Sequence, residues 1–208
     1  HIEIGQSFFT APGAQNGTGH TGNGGGAAGM MAAIAASYNG NEVHLFEKNK
    51  KLGTKLYITG KGRCNITNAC TEEEFFENVV TNPRFLYSSY YGFRNFDMID
   101  LLEGHGVKTK IERGNRVFPV SDHSSDVIDG LYRALKKQKV NVHLKSEVKK
   151  ICFREDAIEG IELADGKQVP ADSVIVATGG LSYPSTGSTG DGYRFAKAVS
   201  HKVTRLTP

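Results

Sequence analysis

The chain has 208 residues, 38% of them hydrophobic and 23% charged, with 25 glycines and a formal net charge of +3. That length suits one large domain or two small ones, and a charge so close to neutral gives no electrostatic argument for a nucleic-acid partner. No apolar run is long enough to span a bilayer, and no secretory leader is visible. The cysteines Cys64, Cys70 and Cys152 form no CxxC pair, which argues against a disulfide framework or a zinc site. A reduced, cytoplasmic setting is the expectation.

Residues 1–23 are polar and rich in glycine, and they contain only Ile2-Glu3-Ile4 as a strand-like scrap. The stretch Asn16 to Asn23 has nothing to bury, so the reading is a disordered or non-native leader, added at a fragment end or read out of frame. The next residues, Gly24-Gly25-Gly26-Ala27-Ala28-Gly29, match G-x-G-x-x-G, the turn that seats a dinucleotide pyrophosphate. Gly24 permits the tight turn, Gly26 the close approach of backbone to phosphate, and Gly29 the packing of helix on sheet. The helix N-terminus adds free N–H groups and a positive dipole end.

Apolar residues at helical spacing predict a helix over 26–38, stopped by Gly40. Residues 42–47 read as a strand ending in Glu47, which lies 23 positions after Gly24 and can accept from ribose hydroxyls. Thr71 caps a helix with acids in its first turn. Pro83 starts a second and Asn95 caps a third. The aromatics between them read as core or lid rather than as a base-stacking platform. A short strand near Val107–Ile111 and Val117-Phe118-Pro119 precede a helix beginning at Ser124 or Ser125. From Val140 the period becomes alternating: a strand at 140–144, then a meander over 147–153, 158–163 and 168–169 with a hairpin turn at Asp165-Gly166. Val174-Ile175-Val176-Ala177 is a continuous apolar strand, buried on both faces, that runs into Thr178-Gly179-Gly180. Asp191 begins the last helix. This order predicts an α/β fold: a Rossmann-like, doubly wound sheet with a three-stranded antiparallel crossover.

Five segments carry a resemblance to a known family: the Gly24–Gly29 turn, Glu47 to Gly53, Thr59-Gly-Lys-Gly-Arg-Cys-Asn-Ile-Thr-Asn68, Arg116 to Ser121, and Ala177 to Tyr193. From Gly24 onward the chain resembles the aminoacetone-oxidase-like flavoproteins, a family with a bile-acid dehydro-reductase branch. The resemblance implies bound FAD. Gly24, Gly26, Ala28 and Gly29 would face the pyrophosphate. Glu47 and Lys48 would lie at the AMP half, and Val148 would offer backbone groups to the adenine. Gly62, Arg63, Cys64 and Asn65 would lie along the phosphate and flavin side. Thr178, Gly179 and Gly180 would bring backbone close to the cofactor. It further implies that residues 24–208 are the N-terminal part of a longer flavoprotein, whose substrate domain and C-terminal closure lie beyond Pro208.

The leading function is an FAD-dependent oxidoreductase passing a hydride between the flavin and a small organic substrate or NAD(P)H. The alternatives are a nucleotide-binding fragment without turnover and a flavin-free NAD dehydrogenase. Ser-His-Asp hydrolysis is excluded by the absence of G-x-S-x-G. No residue declares itself catalytic; Arg63, Arg116 and Tyr183 are the polar groups to test first. Cys64 reads as a semi-buried loop residue, although Arg63 beside it could activate a thiol. His44 and His143 read as packing or surface residues.

Overall fold

The computed structural model describes residues 3–4, 19–38, 40–155 and 157–206. In chain order the elements are β1 (Glu3–Ile4), β2 (Gly19–Asn23), α1 (Ala27–Ser37), β3 (Glu42–Glu47), α2 (Thr54–Ile58), β4 (Thr67–Asn68) and α3 (Glu72–Glu77). Then come α4 (Tyr87–Gly92), α5 (Asn95–Glu103), β5 (Thr109–Glu112), β6 (Arg116–Pro119) and α6 (Ser124–Lys137). The chain ends with β7 (Asn141–Leu144), β8 (Val148–Arg154), β9 (Ala157–Leu163), β10 (Gln168–Pro170), β11 (Ser173–Val176) and α7 (Asp191–Ala198). They fall into two compact units, residues 1–55 with 135–208, and residues 56–134.

The first unit holds a parallel sheet in the order β1-β11-β2-β3-β7. α1 links β2 to its neighbour β3; β7 then adds beyond β3 and β11 on the far side of β2, which gives the Rossmann-type wind. A second, antiparallel sheet, β10-β9-β8, is the expected three-stranded crossover. Gly160 shows how tightly that meander is drawn: its φ is +147°, and a Cβ there would lie 2.1 Å from the Val169 carbonyl oxygen. The core joins both sheets and α7 through Phe46, Val148, Ile151, Ile161, Leu163, Val174, Val176 and Phe195.

The structure departs from the sequence expectation at Gly19–Asn23. This polar run was read as part of a leader outside the fold, yet its backbone forms the central strand, paired in parallel with Ser173–Val176 and with Glu42–Phe46. Ladder bonds are made by main-chain groups, so two flanking strands can template a third whatever its side chains. Residues 5–18 of the expected leader lie outside the described residues.

His44 and His143 meet across the β3–β7 ladder, with His44 Nδ1 2.9 Å from His143 Nε2. Phe46 stacks on His143 at 4.5 Å between centroids. Burial, and then the neighbouring His44, hold His143 below the usual histidine range.

The second unit carries the antiparallel sheet β4-β6-β5 and the helices α3, α4 and α5. Thr71 and Glu74 form a reciprocal capping box at the start of α3. Asn95 does not cap α5; Arg94 holds that position, and the Asn95 amide donates to the Asn68 and Cys70 carbonyls at 2.7 and 2.9 Å. Phe75, Phe76, Tyr87, Tyr90 and Tyr91 pack on one another as a cluster.

Candidate functional site

The glycine turn sits where β2 passes into α1. Gly24 has φ +113°, and its N–H donates to the Phe46 carbonyl at 2.8 Å. A Cβ on Gly24 would stand 2.4 Å from the Ala177 oxygen, so the turn is pressed against the end of β11. Gly29 is tighter still, since a Cβ there would lie 1.6 Å from the Gly24 oxygen. Gly26, the N-cap of α1, is the opposite case: a Cβ would meet nothing within 4 Å. It supplies no side-chain cap to the first N–H groups of α1, and Ala27 and Ala28 beside it are exposed. Of the three glycines expected to face the pyrophosphate, Gly24 and Gly29 are therefore pressed against backbone and Gly26 is open.

Glu47 closes this cradle. Its side chain is buried, at 7% exposure, and its carboxylate accepts from the Gly25 N–H at 2.6 Å and the Asn49 N–H at 2.7 Å. Gly25 is glycine for a local reason, because a Cβ would meet Leu52 Cδ2 at 2.4 Å and Glu47 at 3.0 Å. Its carbonyl accepts from the Gly53 N–H at 2.8 Å, which ties the Leu52-Gly53 corner to the turn. The contribution of Gly25, Leu52 and Gly53 was invisible at the level of the fingerprint, although Gly53 (φ +67°) stands in the resembling segment.

Lys48 does not point free. Its Nζ donates to Asp191 Oδ2 and Thr189 Oγ1, both at 2.8 Å. At the end of β11, Gly179 has φ +72°, and a Cβ there would lie 2.9 Å from Ser188 Oγ. Thr178 Oγ1 is buried, has no hydrogen-bond partner among the described residues, and lies 3.1 Å from where a Cβ on Gly192 would stand. Tyr193 reaches Gly180, with its hydroxyl 3.3 Å from where a Cβ would stand. Val148 is buried at 3% in the core, so only its backbone could serve a ligand. Tyr183 is mostly exposed, in a left-handed turn with Lys55 5.4 Å over its ring.

Gly62, Arg63, Cys64 and Asn65 belong to the second unit. Gly60, Lys61, Gly62 and Cys64 all take positive φ, so the loop is a succession of left-handed residues. Arg63 is held by Glu112 at 2.5 Å and by Asp122 at 2.5 and 2.9 Å, and it lies 4.2 Å over the Phe118 ring. Lys110 completes the cluster at 2.7 Å from Asp122. The Glu112 and Asp122 bonds raise the Arg63 pKa, and both carboxyls fall below their usual range. Cys64 is 1% exposed, and burial pushes its thiol up to about 11, so the reading of an Arg63-activated thiolate is set aside. Asn65 is exposed. Arg116 donates to the Arg113 carbonyl at 3.0 Å, a loop anchor.

A parallel sheet with a glycine turn at the strand-to-helix junction, an acid at the end of the next strand and an antiparallel crossover defines a Rossmann-type nucleotide-binding protein. Residues 23–208 match the HI0933-like protein Rossmann domain, and the chain belongs to that family. It is 33% identical over 189 residues to the 3-dehydro-bile acid delta(4,6)-reductase of Clostridium scindens, covering 89% of this chain and 44% of the relative. It is also 33% identical over 180 residues to the ribosomal RNA dihydrouridine synthase of Escherichia coli, covering 86% of this chain and 44% of that protein. Among solved structures, the open conformation of a flavocytochrome c3 fumarate reductase superposes with a TM-score of 0.61 at 25% identity, over 90% of this chain and 41% of the other. The chain spans less than half the length of the curated relatives it matches. Among the described residues, no helix is long and apolar enough to cross a membrane.

Proposed function

We propose that this chain is the dinucleotide-binding part of an FAD-dependent oxidoreductase. Bound FAD would accept a hydride from a donor such as NAD(P)H and deliver it to a carbon–carbon double bond conjugated with a carbonyl. The observation that carries the cofactor reading is the cradle at Gly26. Among the described residues the space beside it is open, Gly24 and Gly29 leave no room for a side chain, and no side chain caps the first N–H groups of α1. Gly24, Gly26, Ala28 and Gly29 would hold the diphosphate by main-chain contacts, and Glu47, whose two oxygens accept from the Gly25 and Asn49 N–H groups, would accept from a ribose with its remaining lone pairs. Thr178, Gly179 and Gly180 would flank it. For Val148, Gly62, Arg63, Cys64 and Asn65 the support is family resemblance alone.

The reaction class follows from the relatives' names. A 3-dehydro steroid with Δ4,6 unsaturation and the uracil ring of uridine are both alkenes conjugated with a carbonyl, and fumarate is one conjugated with carboxylates. Bound flavin would supply the hydride to the conjugated alkene and a proton from solvent or an acid would complete the reduction at the carbon next to the carbonyl, while the protein's share is to bind and orient. A small molecule and an RNA uridine are thus alternative carriers of one reactive group. The initial expectation of no nucleic-acid partner is not carried forward, because two relatives are named for ribosomal RNA. No observation favours the amine substrate of an aminoacetone oxidase.

The test begins with the visible spectrum of the purified chain after incubation with FAD and gel filtration. A flavin band near one equivalent supports the reading, and a colourless protein refutes it for this chain. The photoreduced complex is then mixed anaerobically with a 4,6-dien-3-one steroid or with a uridine-containing RNA oligonucleotide. Reoxidation by either assigns the substrate class. Reoxidation by neither refutes reduction of conjugated alkenes by this chain.

A further inference from the structure

Lys48 follows the ribose-facing acid directly, and a cation there is easily read as a phosphate ligand. Its surroundings give it different work. The ammonium donates to Asp191 Oδ2 and Thr189 Oγ1 at 2.8 Å each, and Thr189 Oγ1 in turn donates to Asp191 Oδ2 at 2.9 Å. The pair is well shielded, with side-chain exposures of 27% and 20%, against 78% and 44% for the surface pair Arg154–Glu159. One residue on, the Asn49 amide donates to the Thr186 carbonyl at 3.1 Å. Between these two ties lies Gly187, with φ +100°, where a Cβ would stand 2.9 Å from Asn49 Nδ2 and 3.1 Å from Lys48 Cε. The loop from Thr186 to Asp191 is therefore tied to Lys48-Asn49 at Thr186, Thr189 and Asp191.

We propose that Lys48 is a positioning residue, a latch that ties the start of α7 to the end of β3, and not a ligand of the cofactor's diphosphate. The inference rests on the dinucleotide reading of the Gly24–Gly29 turn for its bearing on binding, while the latch itself stands on side-chain geometry. Turning Lys48 toward a phosphate would leave the Asp191 carboxylate with only the more exposed and more distant Arg194, at 3.3 Å, as counter-charge, which is costly. Burial alone would raise the Asp191 carboxyl; the bonds from Lys48 and Thr189 bring it below its ordinary range. The latch also reaches the turn. Asn49 donates its N–H to Glu47 Oε1, and Glu47 Oε2 accepts from Gly25, so the chain of contacts runs from α7 to the glycine turn. The diphosphate then meets main-chain N–H groups and the dipole of α1.

The experiment is a double-substitution cycle on the whole chain with Lys48→Met, Asp191→Asn and the pair, read by thermal unfolding without cofactor and by FAD titration. A latch lowers Tm by about 2–4 °C in each single variant, and the double variant falls no further than the larger single loss. Both single variants weaken FAD binding by the same factor. Additive Tm losses overturn the latch. So does an Asp191→Asn protein that binds FAD as well as or better than wild type while Lys48→Met binds it worse, since freeing a phosphate ligand would do that. If the wild-type chain takes up no FAD, the dinucleotide reading fails separately, and the Tm cycle alone decides the latch. If Asp191→Asn does not fold, Lys48→Arg replaces it. A latch predicts that arginine keeps most of the wild-type Tm, and loss equal to that of Lys48→Met overturns it.

Discussion

Two alanine substitutions three residues apart should fail in opposite ways. At Gly29 a Cβ would lie 1.6 Å from the Gly24 oxygen and 2.8 Å from its carbonyl carbon, both backbone atoms that cannot rotate away. Relief requires the turn to move, and with it the Gly24 N–H bond to Phe46 at 2.8 Å. Overpacking of that kind costs about 3 kcal/mol or more, because carbon and oxygen normally stay more than 3 Å apart and no flexible side chain can absorb the overlap. At roughly 2–4 °C per kcal/mol for a chain of this size, Gly29→Ala should lower the cofactor-free Tm by about 6–12 °C. At Gly26 the backbone is ordinary, with φ −77°, and a Cβ meets nothing. Losing a glycine N-cap for alanine and gaining from a stiffer unfolded chain nearly cancel, leaving stability within about 1 kcal/mol of wild type. The methyl group nevertheless stands where a phosphate should approach. Gly26→Ala should keep its Tm and lose FAD, measured by differential scanning calorimetry and by flavin fluorescence titration. A Gly26→Ala protein that binds FAD like wild type, or unfolds as early as Gly29→Ala, would refute the assignment of the open side of the turn.

Glu47→Gln should cost about 1.5–3 kcal/mol in urea unfolding at neutral pH, since a buried carboxylate accepting two N–H bonds becomes an amide that keeps one acceptor oxygen. Among the thiols, Cys70 and Cys152 should react with a disulfide reagent at pH 8 well before Cys64, whose pKa stands at about 11; equal rates for all three would contradict its burial. For His143, whose folded pKa is lowered, the unfolded chain binds the proton more readily. Stability should therefore be full above the unfolded histidine value of about 6.5 and decline as pH falls through the lower folded value. A Tm profile from pH 8 to 5 should fall less for His143→Gln than for wild type. Replacing His20, Thr21 and Gly22 by valine or isoleucine should raise Tm, because this backbone lies between the buried Val174 and Val176 on one side and Val43 and Leu45 on the other; an unchanged or lower Tm would speak against its central placement.

Legibility followed the nature of the signal. The glycine turn, the acid of β3 and the meander were readable because each depends on local rules: a positive φ, an apolar period of two, an Asp-Gly hairpin. The central strand was not readable, since Gly19–Asn23 lacks the apolar run that such a position normally demands. Its place is set by main-chain pairing with Glu42–Phe46 and Ser173–Val176, partners that a scan of side chains along the chain does not reveal. The charged residues divide the same way. Glu47 could be read from its distance to Gly24, because the chain between them forms one fixed β-α-β return. Lys48 and Arg63 could not, because their partners lie 143 and 59 positions further along. A sequence shows that a cation is present near a glycine-rich loop; only the fold shows that a carboxylate already holds it. Lys48 and Arg63 are each already held by carboxylates, which is why the turn rather than either cation carries the functional reading.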